Sequence, residues 1–332
     1  MDSKKMMAIL VVAIVAVASI GVYAMLNNDS NDKNGTLKVA YLNKSGYESL
    51  IVAENKGFYN DLDFNVESLI VTGSGQDAVN TVTSGNADIA ATGEGPVVTT
   101  LNANQDDFVL LNSYAITIGG HVWVARLGSG ITPSEDPQEV ADQLVGKKIG
   151  VIGSSSTEGV LKRWIAEYGI TDKVTVDNIN KNGAELLEKF NHGNIDVLAA
   201  SEPFPTTAIS KLNGYKIGSS DDINANSLTM LVTTKAIYEE KKDMIEAYIS
   251  ALNDATEYIN ENMDEAIEVC QKSMGTSSEE IRAIFSKIEF KITFDDTVID
   301  VLFDAAAAKN FTALTKEFIK SKCLVYEFVN AL

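Results

Sequence analysis

From Thr36 onward the chain alternates between two hydrophobic periods. Residues 36–42, TLKVAYL, are nearly continuous in apolar character and predict a buried strand. Residues 47–59 carry apolar positions at helical spacing, and 64–71 alternates as a strand does. A short helix over 76–83, a strand over 87–91, a helix over 97–103 and a strand within 108–118 continue the rhythm. This succession predicts a mainly parallel sheet covered by helices. An extended stretch, HVWVARLGSG, then leads into a loop holding Pro133 and Pro137, and the rhythm restarts. Strands are expected over 147–153, 174–177 and 195–200. Helices are expected over 157–168, where Val160, Leu161, Trp164, Ile165 and Tyr168 share one face, and over 184–191 and 205–212. A second extended run covers 227–234, and from Lys235 the pattern is mostly helical.

Two α/β units follow from this, each a mainly parallel sheet flanked by helices. Crossover segments near 121–126 and 228–234 would join them. The expected division is lobe 1 from 36–123 plus 230–332, and lobe 2 from 124–229. One phrase occurs twice, as SGNADIAATGEGP at 84–96 and HGNIDVLAASEP at 192–203. Each follows a helix-like run, then passes through Gly-Asn (at Gly85 and Gly193), Asp, a small-apolar strand and Glu to Pro. Gly-Asn-x-Asp alone is ordinary turn chemistry. The matched length of the preceding helices favours equivalent corners of two similar lobes.

The N-terminus reads as a targeting segment. Lys4 and Lys5 precede an apolar run at 8–26 that as a helix would span about 28 Å, close to a bilayer core. Residues 1–26 are therefore a signal, with Val22-Tyr23-Ala24 as an acceptable cleavage pattern, or an uncleaved membrane anchor. No cysteine follows the run, which excludes a lipoprotein anchor. Residues 27–35 form a polar linker, and the remainder is expected outside the cytoplasm.

The net charge is −19, from 27 basic and 46 acidic residues, which repels phosphate backbones and excludes nucleic acid as a partner. Arg is scarce: Arg126, Arg163 and Arg282. With His121 and His192 the only histidines, a His-rich metal site is excluded. Cys270 and Cys323 lack metal-site or redox spacing. They read as two buried thiols, with a single disulfide left open. No cofactor is expected.

In open parallel sheets ligands bind beyond the carboxyl ends of strands. Two loops there have suitable chemistry: TGSGQD at 72–77 and GSSSTEG at 153–159 each join a strand to a helix. Each holds a capping box, Ser74 with Asp77 and Ser155 with Glu158. Glycines admit a close approach, and N–H groups at a helix start favour an anion or an oxygen-rich group. Plain helix capping explains either loop alone. The G-x-G-x-x-A match at 73–78 follows the wrong strand for a dinucleotide site, and GSSSTEG lacks the P-loop ending. Glu94 and Glu202 occupy the two echoing corners, as a catalytic carboxylate pair or, more ordinarily, as caps or polar ligand contacts. Tyr47 and Phe204 stand where a ligand ring would stack or where a helix start would simply pack. His121 opens the crossover strand.

Several stretches resemble the nitrate/sulfonate/taurine-type substrate-binding proteins of ABC importers. They are VAENKGFYNDLDFNVESL at 52–69, TSGNADIAATGEGP, LVGKKIGVIGSSSTEGVLKRWIAEYGI at 144–170 and HGNIDVLAASEPF. The loop at 131–148 is longer than that family's usual pattern. The resemblance implies the two-lobed type II periplasmic-binding fold, a small-molecule ligand, a membrane permease as partner and a monomeric receptor. Ligand contacts would come from Ser45, Gly46, Tyr47, Ser74, Gly75, Gln76, Glu94, His121, Ser154, Ser155, Ser156, Thr157 and Glu202. Related pyrimidine-synthase enzymes carry a cysteine cluster on this fold, and none exists here. The implied function is an extracytoplasmic receptor for a small organic anion or polar heterocycle. The alternative is an extracytoplasmic enzyme or sensory receptor using Glu94, Glu202 or His121.

Overall fold

The apolar run that opens at Thr36 forms β1 (Thr36–Tyr41). β2 (Asn65–Ile70), β3 (Ile89–Gly93) and β4 (Phe108–Ile118) each follow a helix: Glu48–Lys56, Gly75–Thr83 and Glu94–Ala103. β5 (His121–Ala125), β6 (Lys148–Ile152), β7 (Thr175–Ile179), β8 (Val197–Ser201) and β9 (Tyr215–Ser219) make a second sheet. β10 (Asn226–Thr234) and β11 (Ile288–Thr293) then return to the first. The computed structural model describes residues 33–104, 106–179 and 183–332. The apolar run at 8–26 and most of the expected linker lie outside them. Among the described residues no helix is long and apolar enough to cross a membrane.

The strand order is β11-β4-β10-β3-β1-β2 in one sheet and β7-β6-β8-β5-β9 in the other. The α/β class with helix-flanked sheets is as expected, but the sheets are mixed rather than mainly parallel. β2-β1-β3 and β7-β6-β8 are parallel. β10 runs antiparallel to β3 and β4, and β5 antiparallel to β8 and β9. The cause is the crossing itself. β4 hands the chain to β5 across Gly119-Gly120, and β9 returns it to β10 through the turn at Ser220–Ile223. A strand entering from the other sheet meets its neighbours head to tail.

β9 and β11 escape the sequence reading. Each is short, and in β11 the alternation of Phe290 and Ile292 against Glu289 and Lys291 is embedded between helices. The remainder of the C-terminal region is helical, and its apolar faces join the core of the first sheet. Ile245, Tyr248, Ile249, Leu252 and Ile259 of the helix Lys235–Glu261 are buried there with Leu37, Val39, Ile89 and Leu231. The second sheet splits its core by the two-residue period of its strands. Trp123, Ala125, Val197 and Ala199 face one side, and Val124, Leu198 and Ala200 the other. Trp123 meets Trp164 edge-on at 6.3 Å, which locks the helix Ser156–Glu167 against β5.

The repeated phrase builds the same corner twice. Gly85 and Gly193 both end a helix in the left-handed conformation, with φ of 75° and 73°, which glycine adopts without a steric cost. Asn86 and Asn194 then donate back to Thr81 and Lys189 at 2.8 and 2.9 Å. Asp88 accepts from the Lys38 N–H of β1 at 2.8 Å, and Asp196 from the Lys148 N–H of β6 at 3.0 Å. Each aspartate thus pins the start of the strand its own strand pairs with.

Candidate functional site

Where the strand ends of the two sheets meet, they enclose a cavity of about 250 Å³. Nine of the sequence-selected residues line it: Ser45, Gly46, Tyr47, Gly75, His121, Ser155, Ser156, Thr157 and Glu202. Ser74, Gln76, Glu94 and Ser154 do not appear on its wall.

Each of the four outliers has a structural task. Ser74 closes the capping box: its N–H and hydroxyl donate to the Asp77 carboxylate at 2.7 and 2.9 Å. Gln76 donates to Thr100 Oγ1 at 3.2 Å. Ser154, held at a φ of 60°, donates its N–H to Glu158 at 2.7 Å. Glu94 is buried and accepts from the Leu228 N–H at 3.0 Å. Burial raises its pKa, and the Leu228 N–H, the Ser156 hydroxyl and the Arg163 charge counter part of that rise.

The loop before the helix Glu48–Lys56 supplies one wall. Gly46 N–H reaches both carboxylate oxygens of Glu48, at 3.1 and 2.9 Å, and fixes Ser45–Tyr47 against the helix start. Glu48 is fully buried, and desolvation pushes its pKa up to about 7. Tyr47 stacks on Tyr41 with ring centroids 6.3 Å apart, so its ring already has a partner. Phe204, the other stacking candidate, packs into the core of the second sheet rather than lining the cavity.

The opposite wall is the start of the helix Ser156–Glu167. Ser155 is its N-cap, with Oγ accepting from the Glu158 N–H at 3.3 Å and donating to the Ile152 carbonyl at 2.6 Å. Thr157 Oγ1 lies 2.9 Å from His121 Nδ1. Both hydroxyls are therefore committed within the chain. What this helix start can offer a ligand is its first N–H groups, which have no intrahelical acceptor. His121 heads β5, opposite Ser201 in register, and is 5% exposed. Burial and the neighbouring Lys44 charge lower its pKa to about 4, so the ring is neutral at pH 7. Its Nε2 is buried without a hydrogen-bond partner.

Glu202 is half-buried on the lining and accepts from the Thr206 N–H at 3.2 Å. Burial raises its pKa. The C-terminal region also contributes, through Ala283, Ile284, Lys287 and Ile288. Neither these nor Lys44 and Lys216 carry a motif signal. Lysine counts as surface until the fold turns it inward.

Behind the cavity the two sheets' elements touch directly. A Cβ on Gly95 would stand 2.8 Å from the Ser155 carbonyl, so only glycine permits this approach. Arg163 pairs with Asp304 at 2.9 Å, and Lys309 approaches Glu158 at 3.9 Å, tying the helix Ser156–Glu167 to the helix Asp296–Ala308 and the residue after it. Cys270 and Cys323 are free and buried. Among the described residues no group of His, Cys, Asp and Glu is arranged to hold a metal.

Residues 30–273 match the model of the NMT1-like family. No curated protein matches the chain. Among solved structures it is similar to the periplasmic aliphatic sulphonate binding protein SsuA from Escherichia coli, with a TM-score of 0.71 at 16% identity, covering 88% of this chain and 98% of that one. It is similar to the alkanesulfonate-binding protein SsuA from Xanthomonas axonopodis pv. citri, bound to MOPS, with a TM-score of 0.68 at 14% identity, over 88% and 97% of the two chains. The periplasmic nitrate-binding protein NrtA from Synechocystis PCC 6803 matches with a TM-score of 0.67 at 13% identity, over 87% and 86%. The shared fold is the two-lobed periplasmic-binding architecture.

Proposed function

The chain belongs to the NMT1-like family, and from that premise we propose that it is an extracytoplasmic solute receptor of an ABC importer. Its lobes are 36–118 plus 226–332 and 121–219, so that β5 and β10 each stay whole within one sheet rather than dividing at 123/124 and 229/230. A small organic anion of the sulfonate, taurine or nitrate kind, or a polar heterocycle, enters between them. The lobes close about Gly119-Gly120 and the turn at 220–225, and the closed monomer delivers its ligand to a membrane permease. The segment at 1–26 holds the receptor at the membrane or is removed on export. Closure selects a ligand only if the ligand prefers the closed state.

The observation that carries this reading is the cavity between the strand ends of both sheets, with the buried His121 Nε2 left without a partner. A buried polar nitrogen without a hydrogen bond costs about 1–3 kcal/mol, and a ligand that satisfies it recovers that cost on binding. The general-acid/base alternative loses its carboxylate pair, because Glu94 is engaged by Leu228 away from the cavity lining.

The test is a thermal-shift and native mass spectrometry screen with taurine, alkanesulfonates, nitrate, bicarbonate and thiamine-precursor pyrimidines. One compound should bind with one-to-one stoichiometry and be recovered unchanged. Consumption of the bound compound would point to an enzyme instead, and no binding across the panel would contradict the receptor reading.

A further inference from the structure

Lysines line the cavity of a chain whose net charge is −19: Lys44, Lys216 and Lys287. Lys287 is paired with Asp221 at 3.5 Å. Among the described residues neither Lys44 nor Lys216 has an ion-pair partner. Lys216 is exposed, whereas Lys44 is half-buried. The acids on the lining are Glu202, which already accepts from the Thr206 N–H, and Asp221. Lys44 is therefore the uncompensated charge of the inner wall. Burial lowers its pKa, with no carboxylate nearby to offset the shift. Its charge reaches His121, where it adds to the effect of burial.

His121 completes the arrangement. A neutral imidazole has one donor nitrogen and one acceptor. Thr157 Oγ1 sits 2.9 Å from Nδ1, and Nε2 has no partner although it is buried on the cavity wall. Where the Thr157 hydroxyl donates to Nδ1, the ring proton sits on Nε2. The lining thus holds an ammonium without a carboxylate partner and a buried ring nitrogen without a hydrogen bond, two groups on which an anionic oxygen can dock.

Resting on the receptor reading above, we propose that the ligand carries an anionic oxygen group that docks against the Lys44 ammonium and the Nε2–H of neutral His121. Lys44 sets the charge specificity. Thr157 is the positioning residue that holds His121 in the donating tautomer. A scarcity of arginine thus leaves the anion to a lysine and a neutral histidine as well as to a helix start. Affinity falls in the alkaline range as free Lys44 loses its proton, below the ordinary lysine value of 10.5.

The experiment is calorimetry on the full chain with matched probes: ethanesulfonate against ethanesulfonamide, and propionate against propionamide. The wild type should prefer an anion over its neutral counterpart by about 10–100-fold. Lys44→Gln should erase that preference, and Lys44→Arg should keep most of it. Thr157→Val should weaken the anion about tenfold and shift the His121 tautomer seen in its ring 15N signals, whereas Thr157→Ser should restore both. Melting temperatures confirm that each variant is folded. Equal binding of a neutral probe and its anion, or an unchanged anion affinity in folded Lys44→Gln, overturns the inference and leaves the receptor reading standing. Binding of none of the four probes overturns the inference and leaves the receptor reading to the wider panel.

Discussion

The two echoing corners share their first half and diverge in the second. Both end a helix at a left-handed glycine and both lock the neighbouring strand through an aspartate, at 2.8 Å from Asp88 and 3.0 Å from Asp196. Then Glu94 turns into the seam behind the cavity and binds Leu228, while Glu202 lines the cavity. A corner repeated for folding need not be repeated for function. The Gly-Asn-x-Asp segment satisfies backbone groups that any such turn must satisfy. The glutamate that follows bonds differently in each lobe, to the Leu228 N–H of the neighbouring strand β10 in one and to the Thr206 N–H of its own helix in the other.

The locks themselves differ in depth, and the largest expected effect separates them. Asp88 is buried and also pairs with Lys241 at 2.8 Å. Asp88→Ala leaves that ammonium with the Thr36 carbonyl but no carboxylate and should cost about 4 kcal/mol. Asp196→Ala loses an exposed backbone bond and should cost about 1 kcal/mol. Urea midpoints check the ratio, and equal losses would mean that Lys241 contributes nothing.

Titration should separate the corners next. His121, paired with the second corner through Ser201, has a folded pKa of about 4 against an ordinary 6.5. Between those values the unfolded chain binds a proton that the folded chain refuses. Stability therefore falls as pH drops from 6.5 to 4, by up to roughly 3 kcal/mol. His121→Gln should remove that fall. Glu94 acts with the opposite sign: its raised pKa makes stability fall as pH rises through the carboxylate range, and Glu94→Gln should flatten that slope. Thermal unfolding from pH 4 to 8 reads both.

A smaller effect is expected from Gly95→Ala, whose methyl would meet the Ser155 backbone. Overpacking of this kind costs about 2 kcal/mol, and separating the lobes relieves it. The variant should show a larger radius of gyration in X-ray scattering, and an unchanged radius with unchanged melting would show that the seam yields locally. The smallest expected effect is the shared one. Gly85→Ala and Gly193→Ala should each cost about 1 kcal/mol and agree closely, since both have the same left-handed φ and no neighbour closer than 3.4 Å to an added Cβ. A marked inequality would break the equivalence of the two helix ends.

Much of the fold was legible because periodicity is a property of the chain. The strand–helix rhythm, the extended runs that become β5 and β10 and the helical C-terminus all carry it. β11 was missed because a short alternating stretch such as IEFKIT is lost among helices, and the antiparallel pairings were missed because strand direction depends on which lobe the chain arrives from. The site was legible in its loops: Ser45–Tyr47, His121 and Ser155–Thr157 do converge. Lys44 was not, because a lone lysine in a polar loop has no spacing to mark it. Gln76 and Ser74 sat in the right loop, yet their side chains bond within their own lobe.

The central claim is that this cavity, and not the seam behind it, captures a small anion. The most direct measurement is a crystal structure of the protein with the tightest-binding anion of the screen. The account predicts ligand density bounded by Lys44, His121 Nε2 and the N–H groups of Ser156 and Thr157, with Glu94 still bonded to Leu228. Density elsewhere with these groups unliganded, or a ligand held by Glu94, would contradict it.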